Sequence, residues 1–279
     1  MRSDAKKTFY FHADASSLGG FIEKPFSRHL PPQASASLPS VGGHITTRTE
    51  AFDFEGVISC RAAHTRVSGR HLDEDGSASI LVTSVLEGLN ILEIIKAERI
   101  VAQVTAEYSS GGGFPRISLA GSHFDGLVIG HSDASITLNL GLLGIASGAK
   151  APRAAMTQSL FHETGRQQAA KLVKSVKAEG DQDALRWLTN RYGWMDSDRK
   201  PEKDGFSLCS LVDGVSGAIP GRSFGHVMEI PDFGRIFLGE LLVYPRSIQL
   251  AMVRAELGCS TKGSVGVGTA SVRGTTVPP

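Results

Sequence analysis

One stretch decides whether this chain is built from helices or from strands: residues 86–108 read LEGLNILEIIKAERIVAQVTAEY. A surface helix would gain support from lysine or arginine four residues after each glutamate, but those positions hold only isoleucine and alanine. From Arg99 to Glu107, small or apolar residues instead alternate with mostly polar ones, the period of a half-buried strand. The first half is apolar on both faces, which favours a buried strand and leaves a short helix as the alternative. The stretch predicts two strands with a bend near Lys96–Glu98.

Short strand-like runs separated by turn residues continue on both sides of this stretch. Upstream, RHLDEDGSAS places Asp75–Gly76 at the tip of a hairpin, because this dipeptide suits the tight turns that join antiparallel strands. Glycine makes up 32 of the 279 residues, well above its usual share of about 7%. Strands that recur about every eight to twelve residues with glycine turns predict a sandwich or barrel. The fold class is therefore mainly β, with an antiparallel β-sandwich-like core.

The block EGLNILEIIKAERIVAQVTAE, followed by ISLAGSHFDGLVIG, also resembles a segment of known proteins. It is similar to uncharacterised β-rich bacterial proteins of the choice-of-anchor type. The resemblance covers residues 79–140 and rests on glycines and on the alternation of apolar residues. It implies an all-β core and no particular activity.

One region departs from the β pattern, and there an α-helical hairpin insertion is predicted at about 157–193. The segment RQQAAKLVKSVKAEG has apolar residues at the i, i+3, i+4 and i+7 spacing of an amphipathic helix. Gly180 suits the position just after a helix end, and Asp181 can cap the start of a second helix. We expect the hairpin to pack on the β core through five apolar side chains: Leu172, Val173, Val176, Leu185 and Leu188.

Composition divides the chain into four parts along this pattern. Residues 1–50 form an extended N-terminal segment rich in proline, glycine and serine, and residues 51–150 form the first part of the β-rich core. Residues 151–204 hold the helical insertion and a charged linker, and residues 205–279 form the second part of the core with an extended C-terminal tail. Extended termini of this composition could add to the sheet edge of a neighbouring copy. The alternative is that both termini pack on their own domain.

The charge balance and the apolar runs exclude two classes of function. Lysine and arginine total 29 against 28 aspartate and glutamate, without a basic cluster, so nucleic-acid binding is not expected. The N-terminus lacks the apolar run of a signal peptide, and no run is long enough to predict a transmembrane segment. Removal of a signal peptide remains open, so the predicted location is the cytoplasm, or export without a visible signal peptide.

Three cysteines, Cys60, Cys209 and Cys259, are widely spaced and form no CxxC pair. A structural zinc site or thioredoxin-like chemistry therefore has no support. Buried free thiols in a reducing compartment fit this number and spacing.

Three His-x-Asp triplets are the best candidates for metal binding. On a strand both side chains of a triplet share one face, and a third, distant histidine would complete the facial triad of a non-haem iron oxygenase. The candidate metal ligands are His131, Asp133 and His226, with Arg235 placed to hold a 2-oxoacid carboxylate. Because GHSD reads more simply as a glycine-bearing turn, we expect these three side chains not to converge on an ion.

Other constellations also fall short of a site. Glu229, Asp232 and Glu240 could supply the paired carboxylates of a glycosidase, but charged residues that border strands usually form a solvated face. GVSGA misses the nucleophile motif of serine hydrolases at Ala218. GSVGVG is followed by no helix that could hold a phosphate. No catalytic or cofactor-binding residue is therefore assigned, and no cofactor is expected.

The sequence thus favours a non-enzymatic structural or interaction protein. Its predicted partner is another copy of itself, as a homo-oligomer, or another protein. Two alternatives remain: a metal-dependent oxygenase on a β-sandwich, and a β protein that binds or hydrolyses carbohydrate.

Overall fold

The computed structural model describes residues 8–72, 77–142, 158–196, 206–244, 246–258 and 260–277. Within these ranges the chain forms 21 strands and two α-helices. The strands pair antiparallel in sheets. The predicted fold class, mainly β with a helical insertion in a sandwich-like core, is confirmed.

The elements follow one another along the chain with the helices after the fourteenth strand. The strands are β1 (Thr8–Lys24), β2 (Arg28–Gln33), β3 (Ala36–Ser37), β4 (Gly43–Thr49), β5 (Phe52–Phe54), β6 (Ile58–Cys60), β7 (Ala62–His71), β8 (Ala78–Ile91), β9 (Ile95–Tyr108), β10 (Arg116–Ser118), β11 (His123–Asp125), β12 (Val128–Ile129), β13 (Ser132–Asp133), β14 (Ser135–Leu138), β15 (Ser207–Ser210), β16 (Val212–Ser216), β17 (Arg222–Phe224), β18 (Val227–Ile230), β19 (Gly234–Val243), β20 (Ser247–Gly258) and β21 (Lys262–Val277). The helices are α1 (Gln158–Glu179) and α2 (Gln182–Tyr192), and a 3-10 turn at Gly193–Asp196 follows α2.

Two large sheets pack face to face. Sheet A has the strand order β17-β18-β19-β20-β21-β1-β2, with β15 beside β19 and β3 beside β1. Sheet B contains β4 to β13 and is centred on the consecutive strands β7, β8 and β9. β14 and β16 form a small sheet of their own. The two terminal strands of the chain, β1 and β21, lie across β7, β8 and β9 of the other sheet.

Alternate residues of the strands fill the core between the sheets. In β8 and β9 the inward positions, such as Ile80 and Val104, are completely buried, and each buried side chain of this size stabilises the fold by about 1.5–3 kcal/mol. Two serines also lie between the sheets and form a hydrogen bond with each other: the Oγ of Ser84 donates to the Oγ of Ser17 over 3.1 Å. The alternation that predicted strands is therefore the alternation that builds the core.

Residues 86–108 belong to two strands, as predicted, but the position of the break was wrong. The chain reverses in a tight turn over residues 92–94, between β8 and β9, and does not bend near Lys96–Glu98. The first two turn residues have φ angles of 51° and 59°, which are the positive values that tight hairpin turns require. The side-chain oxygen of Asn90 accepts the backbone N–H of Glu93 over 2.9 Å and holds this conformation. Because Leu92 and Ile94 are apolar, the hydrophobic pattern of the sequence did not indicate a turn at this position.

The hairpin predicted around Asp75–Gly76 is formed by strands β7 and β8. Its tip, Asp75–Gly76, lies outside the described residues. The flanking strands pair in continuous register from Ala62 opposite Glu87 to His71 opposite Ala78.

The turn between the two helices lies where its capping residues indicated. α1 is followed by Gly180 with a φ of 75°, a value that favours glycine. The side chain of Asp181 accepts the backbone N–H groups of Asp183 and Ala184, over 3.0 and 2.9 Å, and so caps α2. Neither this pair nor any other helix of the described residues is long and apolar enough to cross a membrane.

Three of the five side chains expected to be buried in the hairpin are buried, and two are not. Leu172, Val176 and Leu188 pack with apolar residues of sheet A, among them Phe224 and Phe237. Two side chains are only half-buried: Val173 and Leu185. Val173 lines an open cleft between α1 and α2, together with Ala169 and Tyr192. The hairpin therefore covers β18 and β19 but leaves the outer face of β20, β21 and β1 uncovered.

The terminal strands β1 and β21 are integrated into sheet A, in line with the alternative that the termini pack on their own domain. β21 pairs with β20 along one side and with β1 along the other. β1 in turn pairs with β21 and with β2. Both backbone edges of β21 are thus used within the domain, so this strand has no edge left to add to a neighbour's sheet. Two prolines, Pro31 and Pro32, lie in the edge strand β2, where a missing N–H is tolerated.

Candidate functional site

The uncovered part of the outer face of sheet A forms a groove of about 540 Å³. One wall is the end of α2, which contributes Arg191, and the other wall is the segment around β2 and β3, which contributes Pro32, Ser35 and Ser37. Strands β19, β20, β21 and β1 form the floor. None of the described residues that line the groove is aromatic.

The strand register explains why small side chains form much of the floor. Ser16 of β1 lies opposite Thr269 of β21, which lies opposite Ala251 of β20, which lies opposite Glu240 of β19. Residues opposite one another project to the same face of a sheet, so three small side chains lead across the sheet to one carboxylate. A second row runs parallel to the first: Asp14, Ser271, Gln249 and Leu242.

A buried carboxylate between two guanidinium groups closes the α2 end of the groove. The Nη2 of Arg191 donates to the Oε1 of Glu240 over 2.7 Å, and the Nε of Arg254 donates to its Oε2 over 2.6 Å. The side chain of Glu240 is only 6% exposed. We call these three residues the arginine–glutamate cluster.

The electrostatics of this cluster keep the carboxylate ionised. Burial by itself would raise the pKa of Glu240, but the hydrogen bonds and charges of Arg254 and Arg191 outweigh it and hold the pKa below its usual value. Both guanidinium carbons also lie over the ring of Phe237, at 4.4 Å for Arg191 and 3.7 Å for Arg254, a favourable cation–π geometry. The cluster is therefore a rigid, ionised wall and not a carboxylic acid ready to donate a proton.

Further ion pairs extend the cluster along the outer face of sheet A, away from the groove. Arg254 also pairs with Glu256, whose other partner is Arg235 at 3.9 Å. Arg235 pairs with Glu229 over 3.3 Å, and Glu229 pairs with Arg222. The result is a row of alternating charges on β17 to β20, in which each acid faces at least one arginine.

A buried histidine lies behind the cluster. His226 is 6% exposed, and its Nε2 is 3.2 Å from the hydroxyl of Tyr192. The pKa of His226 is lowered to about 4, chiefly by burial; the charge of Glu240 acts in the opposite sense, and the charges of Arg191 and Arg254 add to the lowering. This imidazole is neutral at physiological pH and has a structural partner.

The three candidate metal ligands lie in different environments. His131 follows β12 in an exposed turn, and Asp133 is exposed on β13, whereas His226 is buried beneath α2. Among the residues that the structure describes, no three His, Cys, Asp or Glu side chains are grouped so that they could hold a metal ion. In the other triplets, His123 and Asp125 form an exposed ion pair at 3.3 Å, and Asp14 accepts a hydrogen bond from Ser37.

The expectation of a solvated face was wrong for one of the three candidate carboxylates. Asp232 is exposed, as expected, and Glu229 is half-buried. Glu240 is buried because α2 covers it and brings Arg191. A pair of carboxylates for glycoside hydrolysis would need one protonated acid, and both Glu229 and Glu240 are instead paired with arginine.

The described cysteines are free and buried: Cys60 and Cys209. Burial raises the pKa of both thiols, to about 12 for Cys209, so neither is a ready nucleophile. Cys259 lies outside the described residues.

Sequence reasoning missed the arginines and the small residues of the groove. Arg254 and Glu256 stand at i and i+2 on β20, and Glu256 lies opposite Arg235 of β19, which is a readable signal of a charged row. Arg191 carries no such signal, because its partner is 49 residues away. The open floor depends on strands from both ends of the chain and could not be read locally.

Comparisons with known proteins add a family to these observations. No curated protein matches the chain, and no solved structure matches it. The model of one family, described as Domain of unknown function (DUF8256), matches residues 9–244. This match includes Asp14, Arg191 and Glu240 of the groove and ends before β20. Since it spans most of the 279 residues, the chain belongs to the DUF8256 family.

Proposed function

We propose that this protein is a non-enzymatic interaction protein that binds part of another polypeptide, or of a second copy of itself, in the groove of sheet A. The observation that carries this proposal is the groove itself. It is open, its floor is made of small and polar side chains, and its walls are fixed by the helical hairpin and by β2–β3. Preformed grooves with few, well-placed polar groups are the usual form of a binding site.

The chemistry of the lining residues supports binding rather than catalysis. The carboxylate of Glu240 is fully engaged by two arginines, and the nearby His226 is buried and neutral. A general acid or base needs a pKa near the working pH and access to the substrate. Neither group meets both conditions, and so the groove offers recognition without an evident proton-transfer residue among its described side chains.

We also propose the cytoplasm as the location. Cys60 and Cys209 are free thiols, and free thiols persist in reducing compartments. Both thiols are buried, so their oxidation would require the fold to open.

The test is a binding screen with a groove-filling variant and a matched control. Ser271→Leu places a larger side chain in the groove, whereas Ser264→Leu makes the same change on the same strand, facing outwards beyond the groove. A defined panel of oligopeptides, oligosaccharides and organic acids is screened by thermal shift, and bound compounds are recovered and weighed by mass spectrometry. We expect at least one compound to stabilise the unmodified protein and the Ser264→Leu variant but not Ser271→Leu, and to be recovered unchanged.

Two results would overturn the proposal. Equal stabilisation of all three proteins would place binding outside the groove, and chemical conversion of a bound compound would show an enzyme. If the occupant is a second copy, sedimentation should show a dimer that Ser271→Leu dissociates and Ser264→Leu leaves intact.

A further inference from the structure

The two ends of the groove carry opposite charges that other described groups of the protein neutralise only in part. At the β1 end, Asp14 is exposed and accepts a hydrogen bond from the hydroxyl of Ser37 over 2.5 Å. Within the described part of the chain its carboxylate has no cationic partner. It is the one acidic group of the groove lining that no arginine neutralises, since the other, Glu240, has two.

At the α2 end two guanidinium groups contact the buried carboxylate of Glu240, and of these two Arg254 also pairs with Glu256. Arg191 donates from Nη2 to Glu240, and its Nε is buried and has no hydrogen-bond partner in the described structure, so only the terminal part of the guanidinium can face the groove. A guanidinium has five N–H donors, and the side chain of Arg191 remains 27% exposed at the groove wall. This end is therefore suited to a carboxylate, which can accept a charge-assisted hydrogen bond from the exposed part of the guanidinium.

The separation of the two ends sets the length of the ligand. From β1 to β19 the floor crosses three strand-to-strand steps, through β21 and β20, and each step is about 4.8 Å. The strands that carry Asp14 and Glu240 are thus about 14 Å apart. An extended peptide advances about 3.3 Å per residue, so four or five residues span this distance, whereas a single amino acid or a dipeptide does not.

The floor between the ends suits an extended backbone. Ala251 and Thr269 have short side chains that leave room for a ligand, and Gln249 and Ser271 project polar groups beside them. Gln249 is exposed, and no hydrogen bond ties its amide to the described residues. An amide and a hydroxyl can each donate to a peptide carbonyl and accept from a peptide N–H.

We propose that the groove binds an extended peptide of four or five residues, with a carboxylate held at Arg191 and an ammonium group held at Asp14. This inference rests on the proposed function and names the ligand class of the same site. The opposite charges fix one orientation, because a reversed peptide would bring like charges together at both ends.

The experiment uses pentaalanine in four forms, with free ends, with an acetylated N-terminus, with an amidated C-terminus, and with both ends blocked. Affinities are measured by calorimetry at low salt. We expect acetylation to weaken binding about threefold, since Asp14 is exposed, and amidation to weaken it about tenfold or more, since hydrogen bonds to a charged, partly buried group are stronger. Dialanine with free ends should bind more weakly than pentaalanine, because it cannot reach both charges.

Variants assign each effect to its residue. In Asp14→Asn the difference between free and acetylated peptide should vanish while the amidation effect stays, and in Arg191→Gln the reverse should hold. Asp213→Asn, an exposed aspartate on β16 outside the groove, is the matched control and should change neither. The peptide series on the unmodified protein tests the same charges even if Arg191→Gln fails to fold.

The outcomes separate this inference from the proposed function. If all four peptides bind equally, or none binds while another compound of the panel binds in a way that Ser271→Leu abolishes, the peptide assignment is wrong and the groove remains a binding site. If no compound responds to Ser271→Leu, both are wrong.

Discussion

The arginine–glutamate cluster makes a prediction whose size follows from its geometry. The substitution Glu240→Gln removes a charge that is 6% exposed and holds two guanidinium groups at 2.6 and 2.7 Å. The change leaves Arg191 and Arg254 facing each other over one phenylalanine ring. Loss of one partner of a buried ion pair costs about 3–5 kcal/mol. Glutamine keeps one acceptor of the same shape, and we therefore expect a loss of about 3 kcal/mol in the free energy of unfolding.

Urea unfolding at pH 7, followed by circular dichroism, measures this loss through linear extrapolation. The control is Glu87→Gln, which breaks a pair with Arg61 at 3.6 Å in which both side chains are more exposed. Exposed pairs contribute about 0–1 kcal/mol. The two substitutions are chemically identical and differ in burial and in the number of partners.

A loss below about 1 kcal/mol for Glu240→Gln, equal to that of Glu87→Gln, would refute the reasoning. It would mean that water reaches the cluster and that α2 does not seal it. A double-mutant cycle with Arg191→Met adds a second readout. Residues in one ion-pair network couple by about 0.5–3 kcal/mol, so additive losses would count against direct pairing of Arg191 with Glu240.

Four further predictions concern the rest of the molecule. Leu172→Ala should lower the free energy of unfolding by about 2–5 kcal/mol, and Val173→Ala by clearly less because it is half-buried; equal losses in urea unfolding would contradict this. The pKa of His226 is about 4 in the folded protein and about 6.5 in the unfolded chain, so between these pH values the histidine takes up a proton only in the unfolded state. The free energy of unfolding should therefore fall by about 3 kcal/mol as the pH drops through this window. His226→Gln should remove that slope from unfolding curves recorded across it. Deletion of residues 265–279 should abolish cooperative thermal unfolding, because β21 lies inside sheet A; an unchanged melting curve would contradict it. Purified protein should contain no stoichiometric iron, manganese or zinc by elemental analysis, and one equivalent of metal lost on His131→Ala would favour the oxygenase.

The sequence disclosed the elements whose signals are local. The helical hairpin was predictable because Gly180 and Asp181 act on their immediate neighbours, through a positive φ and through hydrogen bonds to the next backbone N–H groups. The strands of residues 86–108 were predictable because alternation is a property of consecutive residues. The tight turn at residues 92–94 was not, because leucine and isoleucine occupy it and only the side chain of Asn90 marks it.

The terminal strands show where local reading stops. GSVGVGTASVRGTTV has the small residues and valines of an exposed arm and of a central strand alike. Its position between β20 and β1 depends on pairing with residues near the other end of the chain, such as Phe9 opposite Thr276. A pattern confined to one segment cannot report such a partner, so composition left two alternatives open, addition to a neighbouring copy and packing on the same domain, and the register favours the second.

The groove combines both kinds of information, which is why it was not foreseen. Glu240 resembles a surface carboxylate in its own segment, and only α2 turns it into a buried one by covering it and by bringing Arg191. The same helix stops short of β20, β21 and β1, and this leaves the floor open beside the charged wall. The insertion that the sequence located thus has two consequences that the sequence did not show: it buries the cluster and it ends where the groove begins. α2 ends in the 3-10 turn at Gly193–Asp196, and its last turn carries Arg191 at the groove wall, so the end of this helix determines where the charged wall stands beside the open floor of sheet A.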